Sequence, residues 1–217
     1  MKHEWKKHER ELYGVKDKPQ ILTVPRHNYI MLQGMGNPNL DDFSQRVGVL
    51  FSLAYPLKFS FKAAGRHHAP QSETCPYDDY SVYPLEGIWS TGNPDDLSDK
   101  DSFAYTIMIR QPDWITGDMF AETLETIRRK KPHPFLDQVV FDSMEDGLCL
   151  QLLHKGSFDL EPASFARMDS YASEHGFVRI GHKHREIYLN DARKTEEGKR
   201  LTVLRYMGVK KRGIEES

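Results

Sequence analysis

The chain has 217 residues and a mass of 25.2 kDa, enough for one large domain or two small ones. Its 30 basic and 32 acidic residues give a net charge of −2, so no strong positive field attracts nucleic-acid phosphates. The apolar runs are far shorter than a bilayer span, and the first seven residues lack the apolar core of a signal peptide. The sequence has only two cysteines, Cys75 and Cys149, which predicts a cytoplasmic protein without a disulfide framework. The charge and the short apolar runs predict that it has neither a nucleic-acid partner nor a membrane partner.

The first half is predicted to contain an arm, a strand, a helix and two more strands. Residues 1–18 are dense in charge and predict a short helical arm, on which Trp5 and Tyr13 dock against the body. A strand is expected over 21–32, with a break at Pro25. A helix follows from about residue 40, and Pro56 is expected to kink or end it near Tyr55. The remaining predictions are a polar loop over 62–80 that acts as a lid or stays floppy, strands over 81–89 and 102–110, and an acidic hairpin loop over 92–100.

The second half repeats this alternation. A helix is predicted over 116–131, with acidic residues early and basic residues late, as the helix dipole favours. Strands are expected over 138–143 and 148–154, on either side of a turn at 145–147. A third helix over 160–175 has Asp159 as its cap and stops at Gly176. Strands over 184–189 and 201–207 follow, separated by a polar loop.

The two halves are predicted to be copies of one module. Gly34 precedes Phe43 by nine positions (43 − 34), and Gly156 precedes Phe165 by nine (165 − 156). Each glycine ends a strand and each phenylalanine opens the apolar side of a helix. The predicted fold is therefore α+β, with duplicated strand–helix–strand–strand modules, a mostly antiparallel sheet, helices on one face and a central ligand groove. The expected domain spans 19–209, with repeats over about 19–112 and 138–209 joined by the helix over 116–131, and a tail over 210–217.

Glu186 is the main candidate for a functional residue. It lies in a predicted strand with Tyr188 two positions later, so both side chains point to the same face, roughly 7 Å apart. A carboxylate beside an aromatic ring can hold a cation, orient a polar group or take a proton from water. The alternative is a solvated charge on an exposed face of the sheet.

Further candidates surround this pair. Helices can cover one face of the sheet, and the other face then offers aromatic lining: Tyr83, Trp89, Tyr105 and Tyr188. Burial in a dimer interface explains the same pattern. Glu86 is a second candidate carboxylate if residues 85–87 align with 185–187, and otherwise a surface charge. Tyr55, at the predicted end of the helix, is a candidate for lining the groove, and a position in the core is the alternative. Trp114 is also a candidate for lining the groove, and packing under the second helix is the alternative.

Six segments resemble those of the stand-alone GyrI-like small-molecule-binding proteins, over about residues 5–209. They are Gly34–Asn39, Ser52–Phe59, Pro84–Trp89, Ile107–Pro112, His154–Phe158 and His184–Leu189. The resemblance implies a duplicated module with a central groove. It also implies that Glu186 matches the strand glutamate that meets cationic or aromatic drugs in related effector-binding domains of multidrug-responsive regulators. No helix-turn-helix domain is predicted, since only about 18 residues precede the first strand.

The resemblance implies a small-molecule partner and leaves the activity open. Some stand-alone members hydrolyse the strained cyclopropane of DNA-alkylating natural products, which implies a hydrolase with a role in xenobiotic detoxification. In such an enzyme Glu186 is expected to activate a water as general base, and Tyr188 to hold a substrate carbonyl through its hydroxyl. The alternatives are a binder that sequesters drugs without turnover, and a gyrase-inhibitor-like module that binds a protein partner. No cofactor is expected, and the chain is expected to be a monomer or a homodimer.

No metal site is predicted. His67, His68 and Cys75 lack the paired spacing of known zinc motifs, and His182 and His184 have no third ligand nearby in the sequence.

Overall fold

The computed structural model describes residues 1–65, 77–93 and 99–211. Within these ranges the fold is α+β, as predicted, with one large, mostly antiparallel sheet. Its strands are β2 (Gln20–Val24), β3 (His27–Met35), β5 (Leu85–Thr91), β6 (Phe103–Gln111), β7 (Val140–Met144), β8 (Gly147–Lys155), β9 (Phe177–Arg179), β10 (His184–Tyr188) and β11 (Leu201–Lys210). Two short strands, β1 (Lys2–His3) and β4 (Asp79–Tyr80), pair with each other in parallel. The helices are α1 (Trp5–His8), α2 (Arg10–Tyr13), α3 (Asp41–Gly65), α4 (Gly117–Lys130) and α5 (Glu161–Glu174).

The strand order confirms the duplicated module. The order is β2-β8-β11-β10-β5-β6-β3-β7, with β9 paired to β11. One module contributes β3, α3, β5 and β6, and the other contributes β8, α5, β10 and β11. The second strand of each module lies at the centre, where β10 pairs with β5 in antiparallel register.

The sheet is strongly curved. Only two residues separate β2 from β3, and only two separate β7 from β8, although the members of each pair lie at opposite ends of the strand order. The two ends must therefore approach each other, and Arg26, in the link between β2 and β3, donates a hydrogen bond from Nη1 to Ser143 Oγ of β7 at 3.0 Å. No ladder joins β2 to β7 among the described strands, so the sheet does not close into a barrel.

Both long helices of the modules lie on one face of the sheet. Helix α3 packs on β3 and β6, and α5 packs on β8. Leu50, Leu53 and Leu57 of α3 are fully buried, and Met168 of α5 is buried against β8 and β11. The two helices stand over the outer strands, which leaves the central strands β5 and β10 uncovered between them.

Some predicted boundaries were wrong. Of the two outcomes predicted for Pro56, an end of the helix near Tyr55 was wrong, because α3 continues past the proline to Gly65. Leu53 and Leu57 are buried on both sides of the proline, and burial of each contributes about 1.5–3 kcal/mol, against roughly 3 kcal/mol lost at an interior proline. Strands β7 and β8 flank the predicted turn, but each pairs with another strand instead of with its neighbour.

Two predicted loops fall partly outside the described residues, namely 66–76 of the loop over 62–80 and 94–98 of the acidic loop. The strand predicted from residue 81 begins at Leu85. Among the helices that the structure describes, none has the length and apolar composition to cross a bilayer.

Candidate functional site

A large groove lies between α3 and α5, with the central strands as its floor. Its volume is about 1910 Å³. Its lining includes Phe43 and Phe51 from α3, Phe165 from α5, and Trp89, Glu186 and Tyr188 from the floor. The position follows from the duplication, because each helix covers the outer strands of its own module and the seam stays open.

Glu186 lies at the bottom of this groove and is 8% exposed. His184 Nε2 lies 2.9 Å from its Oε1, and the Tyr188 hydroxyl donates to its Oε2 at 2.9 Å. Both neighbours are two positions away on β10, so their side chains share the face that α3 and α5 flank. Glu186 is therefore sheltered and held by hydrogen bonds on both oxygens.

A hydrogen-bonded chain fixes the Glu186 carboxylate. Trp89 Nε1 donates to the Tyr188 hydroxyl at 2.9 Å, and that hydroxyl donates to Glu186. Burial and the charge of Glu186 raise the pKa of Tyr188 well above its usual value, so the hydroxyl stays protonated. Tyr188 thus has its hydrogen committed to Glu186 and orients that carboxylate.

Glu161 brings a second carboxyl group to the same place, and sequence reasoning missed it. It is the first residue of α5, is 7% exposed, and has a buried Oε1 without a hydrogen-bond partner. Burial, and then the charges of Glu186 and Asp159, raise the pKa of Glu161 from 4.5 to about 10. Glu161 therefore keeps its proton to higher pH than an ordinary glutamate.

Aromatic rings surround these polar groups. The Phe165 ring meets His184 edge-on at 4.9 Å between centroids, and Phe158 meets Tyr188 edge-on at 5.9 Å. Phe43 of α3 lies 5.7 Å from Trp89. The site therefore combines a small polar centre with a broad aromatic surround.

The structure brings Trp89, Tyr188 and Glu186 together, but on the face that bears the helices. The expectation that the aromatic lining occupies the opposite face was therefore wrong: the helices stand apart and leave the middle of their own face open. Tyr105 is also on this face, 4% exposed and 5.1 Å from Trp89, so it supports that indole from behind. Tyr55 is 48% exposed at the rim of the groove.

Glu86 lies on the opposite face of the sheet from Glu186. In the central pair, Glu186 is opposite Gly87, and Glu86 is opposite Ile187. A shift of one residue turns a strand side chain to the other face. Glu86 is 1% exposed there and accepts a hydrogen bond from Arg185 Nη1 at 2.8 Å.

The other two predicted residues lie near the N-terminal segment. Tyr83 is 2% exposed at the end of the groove beside Trp5, and its hydroxyl bonds to Glu9 and lies 3.2 Å from His3 Nε2. The Trp114 ring packs against Tyr77, with centroids 5.4 Å apart, and does not line the groove that the described residues form. Neither contacts Glu186.

The chain is similar to known proteins over most of its length. The model of the GyrI-like small molecule binding domain matches residues 17–206. A solved structure of an uncharacterized conserved protein from Listeria innocua is 33% identical, with a TM-score of 0.83, and the match covers 95% of this chain and 100% of that one. Two structures described as hydrolases from Listeria innocua are 32% and 31% identical, with TM-scores of 0.84 and 0.81; the matches cover 96% and 95% of this chain and all of each relative. No curated protein matches the chain.

Proposed function

The chain belongs to the family of GyrI-like small-molecule-binding domains, and from that premise we propose that its ligands bind in the groove between α3 and α5. The ligands that suit this groove are flat, positively charged molecules with an aromatic or apolar surface. The observation that carries the proposal is Glu186, a buried carboxylate at the floor of a groove walled by aromatic rings.

The charge of the site argues for a cationic ligand. No Lys or Arg among the described residues forms an ion pair with Glu186 or Glu161, and His184 is the only basic group in contact. A buried carboxylate without a full countercharge is costly, so a ligand cation that neutralises it binds favourably. Aromatic faces beside the cation add about 0.5–2 kcal/mol each.

A pair of matched dyes tests this proposal. The 9-aminoacridinium cation and uncharged acridine have similar ring systems and differ in charge, so their affinities for the full chain separate stacking from charge recognition. We expect Glu186→Gln to weaken acridinium binding at least about 10-fold, a loss of about 1.4 kcal/mol, and to leave acridine binding nearly unchanged. Glu122→Gln, an exposed change on α4, is the matched control. Equal loss for both dyes, or no loss, would contradict the proposal.

A second candidate function is hydrolysis of a strained electrophile. Glu186 is positioned to accept a proton from water, Tyr188 and His184 hold it in place, and the two Listeria relatives described as hydrolases favour this reading. The water oxygen bonds to the strained ring carbon while the ring C–C bond breaks and its electron pair moves into a conjugated carbonyl. Glu186 then returns its proton to the product, so the net change is addition of one water.

Turnover of a cyclopropane-bearing alkylator separates catalysis from binding alone. We expect ring-opened product from the wild type, and a loss of at least about 100-fold in Glu186→Gln, because general-base catalysis typically contributes 10²–10⁴-fold. Tyr188→Phe removes the hydroxyl that orients Glu186 and is expected to lower kcat with a smaller effect on KM. Saturable binding without product supports the non-catalytic binder, and an unchanged rate in Glu186→Gln refutes the assignment of the base.

A further inference from the structure

We propose that Glu161, His184 and Glu186 form a binding site for one divalent transition-metal ion of the zinc type. The site needs no organic ligand, so it goes beyond the proposed function. Each residue offers one ligand atom, and these atoms all lie within 4.8 Å of one another. The three come from two elements, the first turn of α5 and the middle strand β10, which only the folded chain brings together.

An unpartnered buried oxygen marks the position of the ion. Glu161 is 7% exposed, and its Oε1 has no hydrogen-bond partner although no solvent reaches it. Buried polar atoms are almost always paired, so an unpaired one beside a second carboxylate points to a missing cation. No Lys or Arg of the described chain pairs with either carboxylate, and a metal ion supplies the charge that the side chains do not.

The donor set selects the class of metal. One imidazole nitrogen with two carboxylate oxygens suits Zn²⁺, Co²⁺ or Mn²⁺, whereas Ca²⁺ takes six to eight oxygens and Mg²⁺ keeps most of its waters. Metal–ligand bonds of about 2.0–2.2 Å place tetrahedral donors roughly 3.4 Å apart. The donor atoms lie within 4.8 Å of one another, so the widest separation closes by up to about 1.4 Å (4.8 − 3.4), which side-chain rotation supplies.

The surroundings resemble those of a metal site in two respects. Tyr188 holds the second oxygen of Glu186, and Trp89 holds Tyr188, in the way that outer hydrogen bonds orient metal ligands. The groove leaves the site open on one side, so a fourth position is free for water or a ligand group. His184 Nε2 lies beside Glu186 Oε1 in the metal-free protein. When the ring proton is on Nδ1, Nε2 carries the lone pair that binds the ion.

A metal ion and an organic cation use the same carboxylate oxygens. Zn²⁺ in the site is therefore expected to compete with acridinium, and to occupy the oxygens of Glu186 that water activation requires. Turnover and dye binding should both fall as the site fills.

Calorimetric titration of the full, chelator-treated chain with ZnCl₂ tests the site, and Co²⁺ absorption reports its geometry. We expect one site of micromolar or tighter affinity that weakens at least 10-fold in Glu161→Gln and in His184→Ala. His182→Ala is the matched control, because His182 is exposed nearby and is not one of the three ligands. Intensified visible bands of Co²⁺, absent in Glu161→Gln, are the expected spectroscopic signature.

The outcomes separate this inference from the proposed function. No zinc binding, or zinc binding that Glu161→Gln and His184→Ala leave intact, overturns the metal site, and zinc lost only in His182→Ala shows a surface site instead. Acridinium binding to metal-free protein is measured in parallel. If it persists while zinc fails, the proposed function stands alone; if zinc binds and the dye does not, the metal site stands without it.

Discussion

Two carboxyl groups with different partners define the site at the scale of single residues. Glu186 accepts hydrogen bonds on both oxygens, whereas Glu161 leaves one buried oxygen unpaired. Because they lie close together and away from solvent, both cannot carry charge at low cost. Holding both carboxyl groups in this position therefore costs the folded protein stability.

The stability cost of Glu161 depends on pH in a known direction. The pKa of Glu161 rises from 4.5 to about 10 on folding. The folded protein therefore has its full stability with respect to this group below pH 4.5 and loses stability progressively as the pH rises toward 10. Gln resembles the protonated acid and cannot ionise. We expect Glu161→Gln to unfold at higher urea concentration than the wild type at pH 8, with a gain on the order of a few kcal/mol, and to show little gain at pH 5.

Urea unfolding at both pH values, with chelator present, measures this difference. The exposed control Glu122→Gln should change stability little at either pH. A Glu161→Gln variant that is less stable than the wild type at pH 8 would show that the carboxylate has a favourable partner in the folded protein.

Sequence reasoning identified one member of this pair and missed the other. Glu186 and Tyr188 stand out because alternation within one strand places them on one face. Glu161 is 25 positions earlier (186 − 161) and has the sequence appearance of an ordinary acidic residue in a first helical turn. Its approach to Glu186 depends on how α5 crosses the sheet, which periodicity within one element does not contain.

At the scale of elements, the central pair of strands sets the floor of the groove. Strand β5 presents Gly87 directly opposite Glu186, and Trp89 lies two positions further along the same face. A Cβ at Gly87 would lie 2.6 Å from Trp89 Nε1, closer than side chains can approach. The absence of a side chain at Gly87 is what allows the indole to reach Tyr188.

We therefore expect Gly87→Ala to displace the Trp89 indole and break its hydrogen bond to Tyr188. Overpacking of this kind costs about 1–3 kcal/mol of stability. Acridinium affinity, measured by fluorescence titration, should fall at least about 5-fold, because the aromatic floor and the orientation of Glu186 change together. Gly198→Ala is the control, since a Cβ there meets no atom within 4 Å. Unchanged affinity in Gly87→Ala would show that Trp89 does not contribute to the binding surface.

The order of the elements was more predictable than their partners. The strand–helix–strand–strand repeat follows from apolar periodicity and from the equal spacing of Gly34–Phe43 and Gly156–Phe165. The register between β5 and β10 does not follow from it, and the register decides that Glu86 faces away from Glu186. Strand β2 pairs with β8 of one module, and β7 pairs with β3 of the other. The sequence did not predict these pairings, because a short turn does not determine which strand each of its flanking strands pairs with.

At the scale of the whole molecule, the N-terminal segment packs on the face of the sheet that bears Glu86, where the Tyr13 hydroxyl lies 3.4 Å from the Glu86 carboxylate. Trp5 and Tyr13 are buried in the core, and Trp5 Nε1 donates to the Val82 carbonyl at 3.0 Å. Glu9 forms an ion pair with Arg110, and the Leu12 carbonyl accepts a hydrogen bond from Arg205. The segment thus completes a buried network of charges behind the groove.

Glu9 is the residue through which this network is most readily tested. Burial acts to raise its pKa, but the Arg110 charge and the hydrogen bonds from Tyr83 and His3 outweigh burial and lower the pKa below its usual value. We expect Glu9→Gln to leave Arg110, which is 6% exposed, without its countercharge and to cost about 2–4 kcal/mol of unfolding free energy at pH 7. A depressed acid pKa gives stability that is present above the unfolded pKa and lost as pH falls, so the cost should shrink toward pH 4.

Chemical denaturation at pH 7 and pH 4 checks this prediction. Glu4→Gln on the same segment is the matched control, because within the described part of the chain Glu4 forms its ion pair with Lys7 at the surface, where solvent screens the charges. If Glu9→Gln and Glu4→Gln have equal effects, the segment is not anchored through Arg110. The sequence predicted that Trp5 and Tyr13 dock on the body, but the charged contacts of Glu9 join residues about 100 positions apart and have no local pattern.

The function proposed for Glu186 is recognition of a positively charged aromatic ligand at the floor of the groove. The most direct measurement is the affinity of the wild type and Glu186→Gln for 9-aminoacridinium and for uncharged acridine, with chelator present. The variant is expected to lose at least about 10-fold in affinity for the cation and to keep its affinity for the neutral ring. Equal affinities of the two proteins for the cation would contradict it.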